Sequence, residues 1–519
     1  VRLRVTSDPT LPLMAWCAHL CFGNDAVDLL CGSSVEIRGD GFFEGAWAGS
    51  AEAFDFSETA DVFGSGGRIA GDELIVVTPS HTLERVQFIQ HDGEIFVSNS
   101  LVFLLTAAGA ELDPHHTIYA ADFTKIVYDG TDAFDTVIPV RFTGAVGETA
   151  TGSRGEGHIV YFKNLRLRCD GRISFEDKPQ SPPFDTFDQY VAILADVVQK
   201  TVTNAASACR KSAYSPLASV STGYDSPAVA ALARRAGCER AVTFRDARPH
   251  GRAQIEGDSG EPVAAALQFG LKEFEREAYR GMDSCPEAEF LATGMSGEDV
   301  NMLAFEHDLQ HSVFFTGYHG GRVWNVHSHP DEQLRSNDMS GASLNEFRLR
   351  VDFVHVPAPF ICARRLPKLL EIANSATMRP WSIGTDYDRP IARRIVEEAG
   401  VPRAAFGQKK RATTALLHVH GEDAWTSPTR QAVRDFSRQQ RLPLRIRLSY
   451  LLDAWTESGR SLTYRILHRL NLLRVAPALK KKPIEIHSHS RLGPLPMIWA
   501  TERIRPRYST AVEAWRNGQ

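Results

Sequence analysis

The chain has 519 residues, 43% hydrophobic and 23% charged, with a formal net charge of −5. That length anticipates two or more domains able to bury sizeable cores, and the mild acidity argues against a general nucleic-acid binder. Eight cysteines without a Cys-x-x-Cys pair fit reduced thiols rather than a disulfide framework. No apolar run is long enough to span a bilayer, and the charged start Val1–Arg4 has no signal-peptide core behind it, so a soluble, cytoplasmic protein with no membrane partner is expected.

In chain order, Gly93 to Ser100 reads as a strand followed by a helix over Leu101 to Ala107 and a Leu112-Asp113 turn. Lys178 to Pro183 is a proline-rich linker that closes a first domain at 1–180. A long helix near Phe187 to Thr203 follows, with Val191, Leu194, Val197 and Val198 on one face. Leu217 to Val220 is a short apolar strand, and Pro227 to Arg235 is a helix with a proline in its first turn.

Between that strand and helix lies Ser221-Thr222-Gly223-Tyr224-Asp225-Ser226. A loop there points free N–H groups and the positive end of a helix dipole at its ligand, which suits phosphate or pyrophosphate. Gly223 lets the backbone come close, and Ser221, Thr222 and Ser226 add hydroxyl donors. Asp225 would repel phosphate unless a divalent cation lies between them, as a nucleotide with magnesium provides. An ordinary strand-turn-helix corner is the alternative reading.

Further along come a strand, Ala241–Phe244, and a polar loop, Asp258 to Glu261, that opens a helix over Pro262 to Phe269. An apolar strand from His311 runs into Gly317-Tyr318-His319-Gly320-Gly321-Arg322, and Leu344 to Arg350 precedes Pro357-Ala358-Pro359-Phe360. A helix after Asp388-Arg389-Pro390 ends at Gly400, ahead of Phe406 to Arg411 with Lys409 and Lys410. This stretch makes a second domain of 181–440. From 441 to 519 basic residues outnumber acidic ones, including Lys480 to Lys482, Arg503, Arg505 and Arg507. That extension is either a solvated basic face or a surface for an acidic carrier protein, peptide or nucleic acid. Three His-x-His pairs, His327 with His329, His418 with His420 and His487 with His489, lack an obvious third ligand and read by default as polar loop or strand residues.

Taken together and in this order, these segments resemble the asparagine synthetase family of PP-loop ATP pyrophosphatases, whose Ser-Gly-Gly-x-Asp-Ser signature stands here with Thr222 at its second position. The site pattern is most similar to the β-lactam synthetase-like, amide-forming members, which have a tyrosine where Tyr318 stands. The resemblance implies an α+β and α/β protein: a degenerate N-terminal-nucleophile glutaminase-like αββα domain, then an adenine-nucleotide α-hydrolase-like domain with a parallel sheet. It implies that ATP and pyrophosphate are held by Ser219, Ser221, Thr222, Gly223, Tyr224, Asp225, Ser226, Phe244, Gly317, Arg322 and Lys410, with Mg²⁺ on Asp225. It further implies that Tyr318, paired with Glu346, deprotonates an attacking amine while Lys409 stabilises the oxyanion and leaving group. A tyrosine is a poor base at its free pKa, so the chemistry needs the pair; a packed aromatic is the other reading of Tyr318.

The implied reaction adenylates a carboxylate, releases pyrophosphate and joins an amine, on a small-molecule or peptide substrate that carries one or both groups. Ring closure within one molecule, joining of two, and a homodimer all stay open. Glutaminases of this type use the amine of a first-residue cysteine as base; with Val1 first and Cys17, Cys21 and Cys31 internal, no glutaminase activity is expected. One departure stands out: Gly321 and Arg322 occupy the family's Asp-Glu positions. Asp331 or Glu332 would then replace the lost carboxylate, or Arg322 would contact phosphate directly. The competing reading is a catalytically degenerate homologue that binds nucleotide or a partner without turnover.

Overall fold

The computed structural model describes residues 1–143, 153–249, 256–336, 338–415, 424–440, 442–452 and 492–518. It is a mixed α+β structure with one five-stranded parallel sheet and two larger, mostly antiparallel ones of eight and six strands. The larger sheets come from the first part of the chain and face each other. Alternation explains why: Trp16, Ala18 and Leu20 of the strand Trp16–Cys21 point into an apolar layer with Phe42, Leu74, Val76, Leu165 and Leu167 of the opposite sheet. Cys17, on the other face of the same strand, joins the main core instead. The helix Leu101–Ala107 covers that outer side, and Phe187–Ala205 packs on the six-stranded sheet.

The second of these helices starts where its cap dictates. The Thr186 side chain accepts from the Gln189 N–H at 3.3 Å, and the Gln189 side chain accepts from the Thr186 N–H at 3.2 Å, two first-turn donors satisfied reciprocally. The linker before it is anchored: Lys178 is buried and donates to Asn164 at 2.7 Å. Burial pushes its pKa down to about 7, partly offset by the charge of Asp61.

The parallel sheet is built from Ser215–Ser219, Arg240–Phe244, Gly270–Phe274, Ser312–Thr316 and Phe353–Pro357. In space their order is third, second, first, fourth, fifth. The chain therefore reverses its winding direction between Ser215–Ser219 and Ser312–Thr316, and in open α/β sheets the crevice at such a reversal is where ligands bind. The strand Ser312–Thr316 is buried along its whole length, as a central parallel strand covered on both faces should be.

The two halves share one main core rather than meeting across a polar seam. At the junction sits the helix Asn345–Val351, whose Arg348 forks onto Glu44 at 2.6 and 2.9 Å and reaches Glu84 at 3.2 Å, all three fully buried. The chain's last helices, Leu495–Ile504 and Pro506–Asn517, also pack into this core. Arg507 pairs with Glu289, and Arg505 donates to the Ala110 carbonyl at 3.0 Å. Within the basic C-terminal stretch these two arginines are thus fastening groups, whereas Arg503 is exposed. Lys480 to Lys482, His418, His420, His487 and His489 lie outside the described residues.

Candidate functional site

The loop Ser221 to Ser226 leaves the first parallel strand, and its helix begins at Asp225, two residues ahead of the start read from the sequence, with Pro227 inside the first turn. The turn Gly317 to Arg322 leaves the neighbouring strand on the other side of the switch point. The two segments touch. A β-carbon on Gly317 would lie 2.5 Å from the Ser226 nitrogen, and one on Gly320 would lie 2.6 Å from the Asp225 carboxyl carbon, so only glycine allows the approach. His319, between them, adopts a left-handed φ of 69°, a conformation a glycine would take without strain.

The loop itself is held open by its neighbours. Ser221 and Ser226 share a hydrogen bond of 2.7 Å between hydroxyls, and the Gly223 N–H donates to Ser221 Oγ at 3.2 Å. Thr222 donates from its backbone to Asp258 Oδ1 at 3.2 Å, its hydroxyl donates to the same oxygen, and it accepts from Arg411 at 2.6 Å. The Gly407 N–H donates to the Thr222 carbonyl at 2.8 Å, which brings the segment bearing Lys409 and Lys410 alongside the loop. Both lysines are exposed, and the charge of Lys410 is felt at Asp225. Tyr224 is an anchor: its ring is buried against Tyr387 and Phe406 and its hydroxyl bonds Arg393.

Asp225 is ion-paired through Oδ2 with Arg389, while Oδ1 is buried and has no hydrogen-bond partner. Burial raises its pKa, with Arg389 opposing. A buried carboxylate oxygen without a partner is costly, and one at a crevice of this kind fits a divalent cation with few protein ligands. Arg389 also explains Gly321. A β-carbon there would sit 3.0 Å from its guanidinium, a tight contact that a side chain at this position would have to relieve by shifting the arginine.

Several expectations are corrected. Tyr318 and Glu346 are not a pair: the Tyr318 hydroxyl faces Asp299 Oδ1 at 3.4 Å, while Glu346 is fully buried at the junction and accepts from Ser100 at 2.7 Å and Tyr508 at 2.8 Å. The packing of their helix is the reason: Glu346 meets the cap of the helix Leu101–Ala107 and Tyr508 of the last helix, Arg348 meets Glu44, and Arg350 meets Glu289 and Glu306. Arg322 donates to the Arg335 carbonyl at 2.8 Å and to Asp331 at 3.5 Å. Asp331 is thus ion-paired, and Glu332 is exposed. Phe244 stacks on Phe305 at 4.4 Å inside the core, leaving only its main chain for a ligand, and Ser219 donates to the Phe315 carbonyl at 3.2 Å.

Asp299 is the residue the sequence did not reveal. It is fully buried and accepts from the Gly341 N–H at 2.8 Å, the Ser343 N–H at 3.0 Å and the Ser343 hydroxyl at 2.6 Å. Burial pushes its pKa up to about 6 against these donors, and its charge, with burial, raises the Tyr318 hydroxyl well above its usual value. Asp338, exposed, adds negative charge felt at Asp225, Tyr318, His319 and Arg389. His319 stacks on Phe360 at 4.3 Å, and burial lowers its pKa to about 4. No signal in the local sequence marks Asp299, Asp338 or Arg389 as neighbours of the loop, since each comes from a separate connection. Neither a protein-family model nor a curated protein matches the chain, so the functional reading rests on this geometry.

Proposed function

We propose that the crevice binds ATP and that the protein is an ATP-dependent carbon–nitrogen ligase, which adenylates a substrate carboxylate, releases pyrophosphate and passes the acyl group to an amine. The observation that carries the reading is the meeting of the Ser221 to Ser226 loop with the Gly317 to Arg322 turn at the switch point of a parallel sheet, around a carboxylate with an unpartnered buried oxygen. In this reading the phosphates lie on the loop hydroxyls, Gly223 and the first turn of the helix, where N–H groups and dipole favour anions. Asp225 would hold Mg²⁺, which when bound supplies charge neutralisation for the pyrophosphate leaving group. Lys410 and Lys409 add positive charge at the same mouth.

In the amide-forming half, Tyr318 passes its own proton to ionised Asp299 as it takes one from the amine, so that Asp299 replaces the role the sequence suggested for Glu346. The substrate is a small molecule or peptide with a carboxylate and an amine. A relative that binds nucleotide without turnover is the second reading; it is favoured by Gly321 in place of a carboxylate and by the Arg389 contact to Asp225.

Calorimetric titration with ATP tests the proposal. Mg²⁺ should tighten ATP binding to the native chain, and this gain should vanish in Asp225→Asn. ATP binding that ignores both magnesium and this substitution would remove the assignment.

A further inference from the structure

In the eight-stranded sheet of the chain's first part, His19, Cys21 and Glu94 converge. His19 and Cys21 alternate on the strand Trp16–Cys21 and so share a face, and Cys21 lies directly opposite Glu94 on the neighbouring strand Glu94–Ser98. His19 Nε2 stands 3.1 Å from Glu94 Oε1 and 3.4 Å from Cys21 Sγ, and the sulfur is 3.8 Å from the same carboxylate oxygen. With ordinary zinc–sulfur, zinc–nitrogen and zinc–oxygen bond lengths, tetrahedral coordination separates such ligand atoms by about 3.4–3.6 Å. From this match of donor set and spacing we infer that the three residues form a Zn²⁺ site with its fourth position open to solvent.

The surroundings support a ligand role. The His19 ring is clamped between Phe96, stacked at 4.3 Å, and the edge of Trp515 at 6.0 Å, so Nε2 is held toward the other two donors. Asp28, opposite His19 on the other neighbouring strand, is already neutralised by a two-point contact with Arg4 at 2.6 Å for each bond. Arg516, whose guanidinium lies 5.5 Å from the Phe96 ring centre, is the other charge facing the cluster. Binding converts the Cys21 thiol to thiolate with release of one proton, and thiolate plus carboxylate then balance the charge of the ion.

The test uses the full chain in a Cys209→Ser background, because Cys209 is an exposed thiol that would compete. Zn²⁺ titration should give one ion per chain, and Co²⁺ substitution should give tetrahedral visible bands with a near-ultraviolet thiolate-to-cobalt absorption. Cys21→Ser should abolish that absorption and weaken Zn²⁺ roughly a hundredfold or more, given that even groups which only orient a ligand contribute about 10–100-fold. Glu94→Gln, which keeps size and leaves the thiol intact, should retain the absorption but weaken binding, so a fold lost in one variant does not decide the matter. A Co²⁺ spectrum without a thiolate band, or one unchanged in Cys21→Ser, overturns the site. The outcome is independent of the reading of the crevice.

Discussion

The parallel-sheet switch point and the junction under the helix Asn345–Val351 both bury carboxylates beside an arginine, and they differ in how many of those carboxylates are fully hydrogen-bonded. At the junction Glu346 accepts from Ser100 and Tyr508 and Glu44 has both forks of Arg348, while Glu84 is held by the same arginine as a buried ion pair without a hydrogen bond. In the crevice Asp225 keeps one buried oxygen unpartnered, and Tyr318 meets Asp299 only at 3.4 Å. Saturated groups hold a structure in one arrangement, whereas an unfilled acceptor beside glycine-only contacts is where a ligand gains most. The difference separates fastening from chemistry more sharply than residue type does.

The largest effect should come from the crevice. Asp225→Ala should lower pyrophosphate formation roughly a thousandfold or more, at about 1.4 kcal/mol per decade, and should also lower the melting transition, because Arg389 would be left buried without its carboxylate. Pyrophosphate release at the native rate would put the crevice in the same class as the junction.

At the junction, Arg348→Met should destabilise the fold by about 3 kcal/mol, because Glu44 and Glu84 would be left buried without their cation. Denaturant unfolding measures this, and a change within error would mean that water or side-chain rearrangement replaces the arginine. Asp299→Asn should slow amide formation roughly a hundredfold while sparing ATP–pyrophosphate exchange, in line with the usual contribution of a positioned acid–base group.

The pH dependence sharpens that point. Tyr318 needs Asp299 ionised, so the amide step should rise with pH through about 6 and lose this limb in Asp299→Asn. Folding runs the other way: a carboxyl raised to about 6 from its unfolded value of 3.8 favours the native state when protonated, so its stabilising contribution is lost as pH rises between those values. The smallest effect is expected for Glu346→Gln. The amide can still bond Ser100 and Tyr508, so turnover should stay close to native and stability should fall by about 1 kcal/mol. A large loss of amide formation there would restore Glu346 to the chemistry.

By itself the sequence determined the local pieces: the strand and helix around Ser221 to Ser226, the strand ending at Thr316, the capped helix from Phe187, and the proline-started helix from Pro390 that stops before the left-handed Gly400. Each is carried by short-range pattern, in apolar period, cap and turn residues, and such signals need no partner elsewhere. The edge strand Gly270–Phe274 carried no comparable signal and took its place through pairing in the sheet. Tertiary structure alone decided which charges meet. Arg389 lies 164 positions from Asp225, and Glu346 lies 246 from Ser100, separations over which no local pattern constrains a side chain. Strand order brought the loop to the switch point, and helix orientation turned Glu346 away from Tyr318 and left Asp299 in its place. Which polar group is satisfied and which is left open is a property of packing, because burial and partnership exist only once the sheets and helices have closed around them.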